Sequence, residues 1–258
     1  MKLDNLSAFL RKHNEALFYG FVGVAIVARV ISDVWMGRWG IHSGELLPLR
    51  HHPSIPLYSQ YFLAVEWVCS LIGAAMLQNA RLRRFGAIAA WIGISASLTQ
   101  LFQNQKALVW IVLTILCCCD PYRKSAWRKL LEWQLILVYL FTALSKLFGD
   151  FLTGTVIYDL IRLYSPGLGE LLMSLSPEVT SAFYKMIAWV TIAIEIFLPV
   201  LLLMRKPMGL LLVAVLHFGF AIMMPDIWPF TLITVALAIL FYGSPENTVS
   251  PSYNVVEQ

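Results

Sequence analysis

The sequence has few charged residues for its length. Asp, Glu, Lys and Arg together make up 13% of its 258 residues, whereas about 25% is usual in soluble domains. Hydrophobic residues reach 59%, and the mean hydropathy is +0.72. This balance excludes an ordinary soluble domain and predicts a polytopic membrane protein. The formal net charge is +4, but the basic residues form short clusters between apolar runs, so no nucleic-acid partner is predicted.

Cysteine is also scarce. The chain has four cysteines, namely Cys69 and the run Cys117–Cys119, without Cys-x-x-Cys spacing. Their places in or beside apolar segments favour packing roles over a disulfide framework or a zinc site. His42, His51 and His52 lie in one predicted loop, but no zinc-ligand pattern surrounds them, so solvated histidines are favoured. The sequence also has no phosphate-binding loop, dinucleotide fingerprint or serine-hydrolase elbow. No metal is predicted.

The sequence contains long apolar segments between its few charged residues. A bilayer core requires about 20 apolar residues per helix, and eight segments reach or approach this length. They are Ala16–Met36, Leu57–Leu77, Phe85–Leu101, Ala107–Cys119, Trp133–Leu152, Tyr184–Met204, Met208–Met224 and Ile227–Tyr242. The fourth is short for a crossing. The predicted fold class is all-α, an integral membrane protein with about eight transmembrane helices.

The distribution of lysine and arginine predicts the orientation of these segments. Twelve basic residues fall on one side and five, including Lys106, on the other. Since cytoplasmic loops carry the excess of basic residues, both termini are predicted to be cytoplasmic. The predicted organisation is an amphipathic N-terminal segment (1–15), a transmembrane domain (16–242) and a disordered tail (243–258). No cleavable signal peptide is expected before the first span, and the predicted location is a bacterial cytoplasmic membrane. Residues 154–181 favour an outer-surface or re-entrant element.

Ionisable residues inside the apolar segments are the main indication of function. Lys146 lies near the end of the fifth segment, where an ionisable side chain costs about 2.5 kcal/mol or more. It therefore either meets a partner or a cavity, or extends its amine to the headgroups. Tyr139 and Thr142 lie two turns and one turn earlier on the same helical face. Glu195 and His217 lie near the middle of the sixth and seventh segments.

Other charges accompany these residues in the outer half of the predicted bundle. Arg29 and Asp33 are spaced as an ion pair on the first segment, and Glu66 lies in the second. Arg29 is also a candidate partner for Glu195. Each residue alone favours a structural role, but together they predict a polar chamber that opens outward.

The segment from Tyr139 to Gly154 resembles a pattern of the horizontally transferred transmembrane (HTTM) family, which includes the membrane domain of vitamin K-dependent gamma-carboxylase. That pattern is a tyrosine, a short apolar stretch, Lys-Leu and a later glycine, and here it reads Tyr139-Leu-Phe-Thr-Ala-Leu-Ser-Lys146-Leu-Phe-Gly-Asp-Phe-Leu-Thr-Gly154. Shorter similarities follow the family's order: Arg29, Trp39–Gly44 with Pro48, Ile194–Pro199, and Leu216–Phe220 with Trp228–Phe230. The shared order carries the resemblance.

The resemblance implies an enzyme in which Lys146 removes a proton from a quinol, either reduced vitamin K or menaquinol. Such a base must be a neutral amine, a form that burial favours. His217 is then the second catalytic residue, and the substrate-binding residues are Arg29, Tyr139, Thr142 and Glu195. Where the family has Asn-His before its fourth helix, this chain has Asn104-Gln105.

The implied reaction is carboxylase-like and modifies a peptide or lipid-soluble substrate at the outer side of the membrane. The expected partners are membrane lipid, a quinol and a small secreted or membrane peptide. The alternative is a non-catalytic membrane protein that binds a quinone, lipid or small peptide during maturation or export. Chemical turnover distinguishes the two.

Overall fold

The computed structural model describes residues 3–35, 60–98, 104–119, 124–164, 166–223 and 227–242. Within these ranges the chain forms ten α-helices and no strand, which confirms the all-α prediction. The helices are α1 (Leu3–Trp35), α2 (Gln60–Leu77), α3 (Arg83–Leu98), α4 (Asn104–Cys118), α5 (Lys124–Leu147), α6 (Thr155–Tyr164), α7 (Pro166–Met173), α8 (Pro177–Leu203), α9 (Pro207–Met223) and α10 (Trp228–Leu240). The loop histidines His42, His51 and His52 and the predicted tail lie outside the described residues.

Three stretches in the described part of the chain are long and apolar enough to cross a membrane. They are Ala8–Ile31 in α1, Ala126–Leu147 in α5 and Pro177–Leu203 in α8. A helix rises about 1.5 Å per residue and a bilayer core is about 30 Å thick, so these stretches of 22 to 27 residues suffice. Their length and composition indicate a membrane protein.

Eight of the described helices overlap the eight predicted apolar segments. Helices α2, α3, α4, α9 and α10 have 13 to 18 residues, which is short for a straight crossing. The count of eight spans therefore stays a prediction. Residues 154–181 contain the short helices α6 and α7 and the first turn of α8.

Helix α1 runs without a break for 33 residues. The N-terminal segment predicted as a separate amphipathic element forms its first turns. Leu10 and Asn14 are buried there, whereas Phe9 is exposed. Glu15 pairs with Arg83 at the start of α3, with 2.5 Å between Oε1 and Nη1. These contacts hold the beginning of α1 against the bundle.

Helix α10 is the central helix of the bundle. It contacts α1, α4, α5 and α9, and every residue from Ile233 to Tyr242 is buried. Its 13 residues carry no charge, and a helix that is apolar on all faces requires cover on all faces. At its end, Arg128 Nε donates to the Leu240 carbonyl at 3.2 Å. This bond satisfies one of the carbonyl groups that a helix terminus leaves open.

Helices α2 and α3 pack closely through small residues. A Cβ atom at Gly73 would lie 2.7 Å from the Gly86 carbonyl oxygen and from the Ala90 Cβ. Such close approach is typical of helix pairs in membranes, where packing rather than hydrophobic burial drives association. The hairpin positions Glu66 on α2 opposite the start of α4.

Large apolar side chains cover the outside of the bundle. Phe141 and Leu144 on α5 and Phe197 and Val200 on α8 are all exposed. A soluble protein rarely exposes apolar patches of this extent. The surface is suited to contact with lipid.

Candidate functional site

An ion pair joins the end of α5 to the middle of α8. Lys146 Nζ donates to Glu195 Oε1, and the two side chains are 23% and 8% exposed. The ammonium also lies 5.1 Å from the centre of the Phe151 ring, within cation–π range. Lys146 thus has a carboxylate partner within the bundle. From the sequence, Arg29 is a candidate partner for Glu195. In the structure, the cation that contacts Oε1 of the Glu195 carboxylate is Lys146.

A second polar contact lies two turns earlier on α5. The Tyr139 hydroxyl is 2.9 Å from Nε2 of His217 on α9, and both residues are buried. Which group donates depends on the tautomer of the imidazole. The His217 carbonyl in turn accepts from Thr231 on α10 at 3.1 Å. The central helix therefore fixes the position of His217.

These two contacts form one cluster, which we call the Lys146 cluster: Lys146, Glu195, Tyr139 and His217. Lys146 interacts electrostatically with His217, and Glu195 interacts with Tyr139. The cluster joins α5, α8 and α9. Its members are separated along the chain and come together only in the folded bundle.

The second oxygen of the Glu195 carboxylate is buried beside Thr142. Thr142 lies beside Glu195, but its hydroxyl donates to the Tyr139 carbonyl at 3.0 Å, a common use of threonine in helices. Glu195 Oε2 is buried and has no hydrogen-bond partner among the residues that the structure describes. Since buried carboxylate oxygens are normally satisfied, a ligand hydroxyl would be stabilised there.

Arg29 is buried within the bundle, at 4% exposure. It lies on α1, which packs against α9, the helix of His217. The side chain of Asp33, its predicted ion-pair partner, lies outside the described residues. Arg29 therefore lies on a helix next to the Lys146 cluster.

A second buried ion pair joins α2 to α4. Lys106 Nζ lies 2.9 Å and 3.0 Å from the two carboxylate oxygens of Glu66, and each side chain is 1% exposed. The distribution of basic residues in the sequence predicts Lys106 on the outer side, and the sequence does not predict this pair. A sequence signal for this pair does exist. The apolar helix α2 carries one acidic residue, Glu66, and the apolar helix α4 carries one basic residue, Lys106. Gln105 lies in the backbone of α4, but its side chain is outside the described part of the chain.

No metal site is found in the described ranges, which contain no group of three His, Cys, Asp or Glu side chains arranged for a metal ion. His42, His51 and His52 lie outside these ranges.

A cavity of about 380 Å³ lies between the start of α6 and the start of α8. Its wall includes Gly154, Thr155, Tyr158 and Tyr184. Gly154 has φ +82°, and a Cβ there would lie 2.8 Å from the Tyr184 Cβ. Only glycine readily permits this conformation and this approach, so the final glycine of the Tyr139–Gly154 pattern fixes the turn before α6.

Searches of protein-family models, curated proteins and solved structures gave no match to this chain.

Proposed function

We propose that the protein is a gamma-carboxylase-like membrane enzyme in which Lys146 acts as a general base on a quinol at the outer side of the membrane. The enzyme uses this reaction to modify a peptide or a lipid-soluble substrate. The observation that carries the proposal is the contact between Lys146 and the buried carboxylate of Glu195, beside the Tyr139–His217 hydrogen bond. The resemblance to the HTTM family centres on the same residues.

The ion pair provides a route to a neutral amine. Transfer of one proton from Lys146 to Glu195 leaves a neutral amine beside a neutral acid, with no change in the total charge of the pair. The transfer replaces two separate charges with two neutral groups, and the Glu195 carboxylate that receives the proton is buried. The amine is then able to accept a proton from a hydroxyl group within hydrogen-bond distance.

The residues present suit a quinol head group. The buried Oε2 of Glu195 accepts from a ligand hydroxyl, and the partial exposure of Lys146 leaves its amine accessible. Leu144 and Phe148 beside Lys146 are exposed, so a lipid-soluble molecule approaches from the membrane. When bound, the quinol supplies the acidic hydroxyl group and the reducing equivalents for an oxygen-dependent reaction.

Tyr139 and His217 hold a proton next to the base. The imidazole either accepts from the Tyr139 hydroxyl or donates to it, depending on its tautomer. This allows His217 to move a proton at Nε2 while Tyr139 stays in place. The Thr231 bond to the His217 backbone keeps this geometry fixed.

We also infer eight membrane crossings with both termini in the cytoplasm. Three contacts lie at one end of the bundle, where the helix termini and loops are rich in basic residues. They are the Glu15–Arg83 ion pair, the Arg128 bond to the Leu240 carbonyl and the Tyr242 hydroxyl bond to the Lys206 carbonyl. Basic residues favour the cytoplasmic side. Lys146 lies about 27 Å from Arg128 along α5, which supports the outer side for the cluster.

A non-catalytic role is the second proposal. The amine of Lys146 is already satisfied by Glu195, and such pairs also hold membrane helices together without any turnover. The cavity beside Tyr184 offers a separate place for a quinone, a lipid or a small peptide. This proposal predicts binding without reaction.

The deciding experiment is a turnover assay. Purified protein is incubated with menaquinol or vitamin K hydroquinone, oxygen and bicarbonate, and quinone epoxide is measured by mass spectrometry. The enzyme proposal expects epoxide from the natural sequence and none from Lys146→Met. Lys185→Met, which changes an exposed lysine of α8, is the matched control and should retain activity. Absence of epoxide from folded natural protein would favour the binding proposal.

A further inference from the structure

The cavity between α6 and α8 has the properties of a small-molecule site distinct from the Lys146 cluster. Its volume of about 380 Å³ falls within the range of about 300–1,000 Å³ of ligand pockets. The wall combines the hydroxyl groups of Thr155, Thr180 and Ser181 with the apolar side chains of Met173 and Leu175. None of the lining residues described carries a charge.

Tyr184 supplies an unused hydrogen-bonding group in this wall. It is 4% exposed, and its hydroxyl oxygen is buried without a hydrogen-bond partner in the described part of the protein. Its ring packs edge-on against Tyr158, with 5.5 Å between ring centroids. Buried polar side chains nearly always have a partner. A hydroxyl left unpaired beside a cavity therefore points to a ligand.

The neighbouring hydroxyl groups determine the chemistry of that ligand. Thr180 donates its hydrogen to the Leu172 carbonyl at 2.7 Å, so its oxygen is left to accept. The Thr153 oxygen already accepts from the Thr155 backbone N–H at 3.3 Å, so the other acceptors of the wall are the hydroxyl oxygens of Thr155 and Ser181. The wall thus combines a donor at Tyr184 with several acceptors. A matching head group has both an oxygen acceptor and hydroxyl donors.

The ligand is also uncharged and has an apolar body. A phosphate or carboxylate would find no cation among these lining residues to compensate its charge. Leu171, Met173 and Val179 near the cavity are 64%, 60% and 54% exposed, so the surrounding surface is suited to lipid. A tail that leaves the cavity would lie against these side chains.

We propose that this cavity binds an uncharged amphiphile whose head group carries both hydroxyl donors and an oxygen acceptor, with Tyr184 donating to that acceptor. A membrane quinol and a monoacylglycerol share this chemistry. Tyr184 lies about 16 Å from Glu195 along the same buried stripe of α8. Binding here requires no turnover at Lys146, so a negative result in the test below leaves the proposed base untouched.

The test follows the reactivity of a cysteine in the cavity wall. The full chain carrying Ser181→Cys is placed in lipid nanodiscs, and its labelling by a maleimide is measured with peptide mass spectrometry, which separates it from the four native cysteines. The probes all carry chains of twelve carbons: dodecylhydroquinone and 1-lauroylglycerol have uncharged head groups, whereas dodecanoate has a carboxylate and dodecyl phosphate has a phosphate. Glu170→Cys, at an exposed position outside the lining, is the control.

Saturable slowing of Ser181→Cys labelling by one or both neutral probes, but not by the charged ones, supports the proposal. Slowing by only one neutral probe identifies the source as quinol or lipid. When Tyr184→Phe is added to the Ser181→Cys chain, the probe concentration that gives half-maximal protection should rise about tenfold, as expected for one lost hydrogen bond. Equal protection by all four probes, protection by none, or an unchanged response with Tyr184→Phe would overturn it. The melting temperature of Tyr184→Phe alone should not fall; a fall would assign the hydroxyl a protein partner and also overturn the proposal.

Discussion

Lys146 on α5 donates to the buried carboxylate of Glu195 on α8, so one contact serves both the packing of two helices and the proposed chemistry. Removal of either residue leaves the other with an unpaired group in apolar surroundings. Single substitutions here therefore change stability and activity together. Paired substitutions are needed to separate the two effects.

The first prediction applies this reasoning to Lys146. Lys146→Met should destabilise the protein by up to about 3 kcal/mol, the low end for a broken buried pair, because Lys146 is partly exposed. Lys146→Met combined with Glu195→Gln removes both charges and should recover most of that loss. Neither variant should form quinone epoxide. Melting curves in detergent and the epoxide assay measure the two effects, and a folded, active double variant would return Lys146 to a structural role.

The second prediction concerns the hydrogen bond between Tyr139 and His217. His217→Ala should lower turnover by about 10²–10⁴-fold, as expected for an acid–base or orienting group. It should also cost about 1–3 kcal/mol in stability, since the buried Tyr139 hydroxyl loses its partner. Tyr139→Phe in the same chain should restore stability but not turnover. If the double variant is no more stable than His217→Ala, the stability loss has another origin.

The third prediction compares a buried ion pair with a partly exposed one. Lys106→Met should destabilise the protein by about 3–5 kcal/mol because it removes the ammonium that faces the buried carboxylate of Glu66. Arg83→Met, which breaks the pair with Glu15, should cost about 1 kcal/mol or less. Adding Glu66→Gln to Lys106→Met should restore much of the stability. Equal shifts in melting temperature for the two single variants would contradict this ranking.

The fourth prediction tests the turn at Gly154. Gly154→Ala should cost at least about 1–2 kcal/mol, because φ +82° is unfavourable for alanine and its Cβ would lie 2.8 Å from that of Tyr184. Gly219→Ala is the control, since a Cβ there meets nothing within 4 Å. That change in α9 should be neutral or slightly stabilising. Thermal melting distinguishes them, and a neutral Gly154→Ala would refute the strained turn.

The fifth prediction tests the topology in intact cells. Asp150→Cys, at an exposed position after α5, should react with an impermeant maleimide if that end faces outward. Ala80→Cys, at an exposed position in the turn between α2 and α3, should not react. Both sites avoid the strained position 154. The reverse labelling pattern would invert the orientation and place the Lys146 cluster toward the cytoplasm.

The fold class and the position of most helices follow from local features of the sequence. Low charge and long apolar segments predict helices because a backbone in lipid must satisfy its own hydrogen bonds. Lys146 and Glu195 can be identified from the sequence because each is an isolated charged residue within an apolar segment. The sequence also predicts separate roles for residues 1–15 and 16–36, whereas α1 is continuous, since nothing in the intervening residues ends a helix.

Only the tertiary structure determines which distant residues pair. The sequence leaves Glu195 near Arg29 or another cation and counts Lys106 with the outer basic residues, while the folded chain joins Lys146 to Glu195 and Lys106 to Glu66. Such pairs depend on which helices are neighbours and on how each is rotated, and neither quantity is encoded in the local hydrophobic pattern. The Tyr184 hydroxyl, which has no hydrogen-bond partner among the described residues, depends on tertiary structure in the same way. Its surroundings are set by the approach of α6 to α8, which the turn at Gly154 permits.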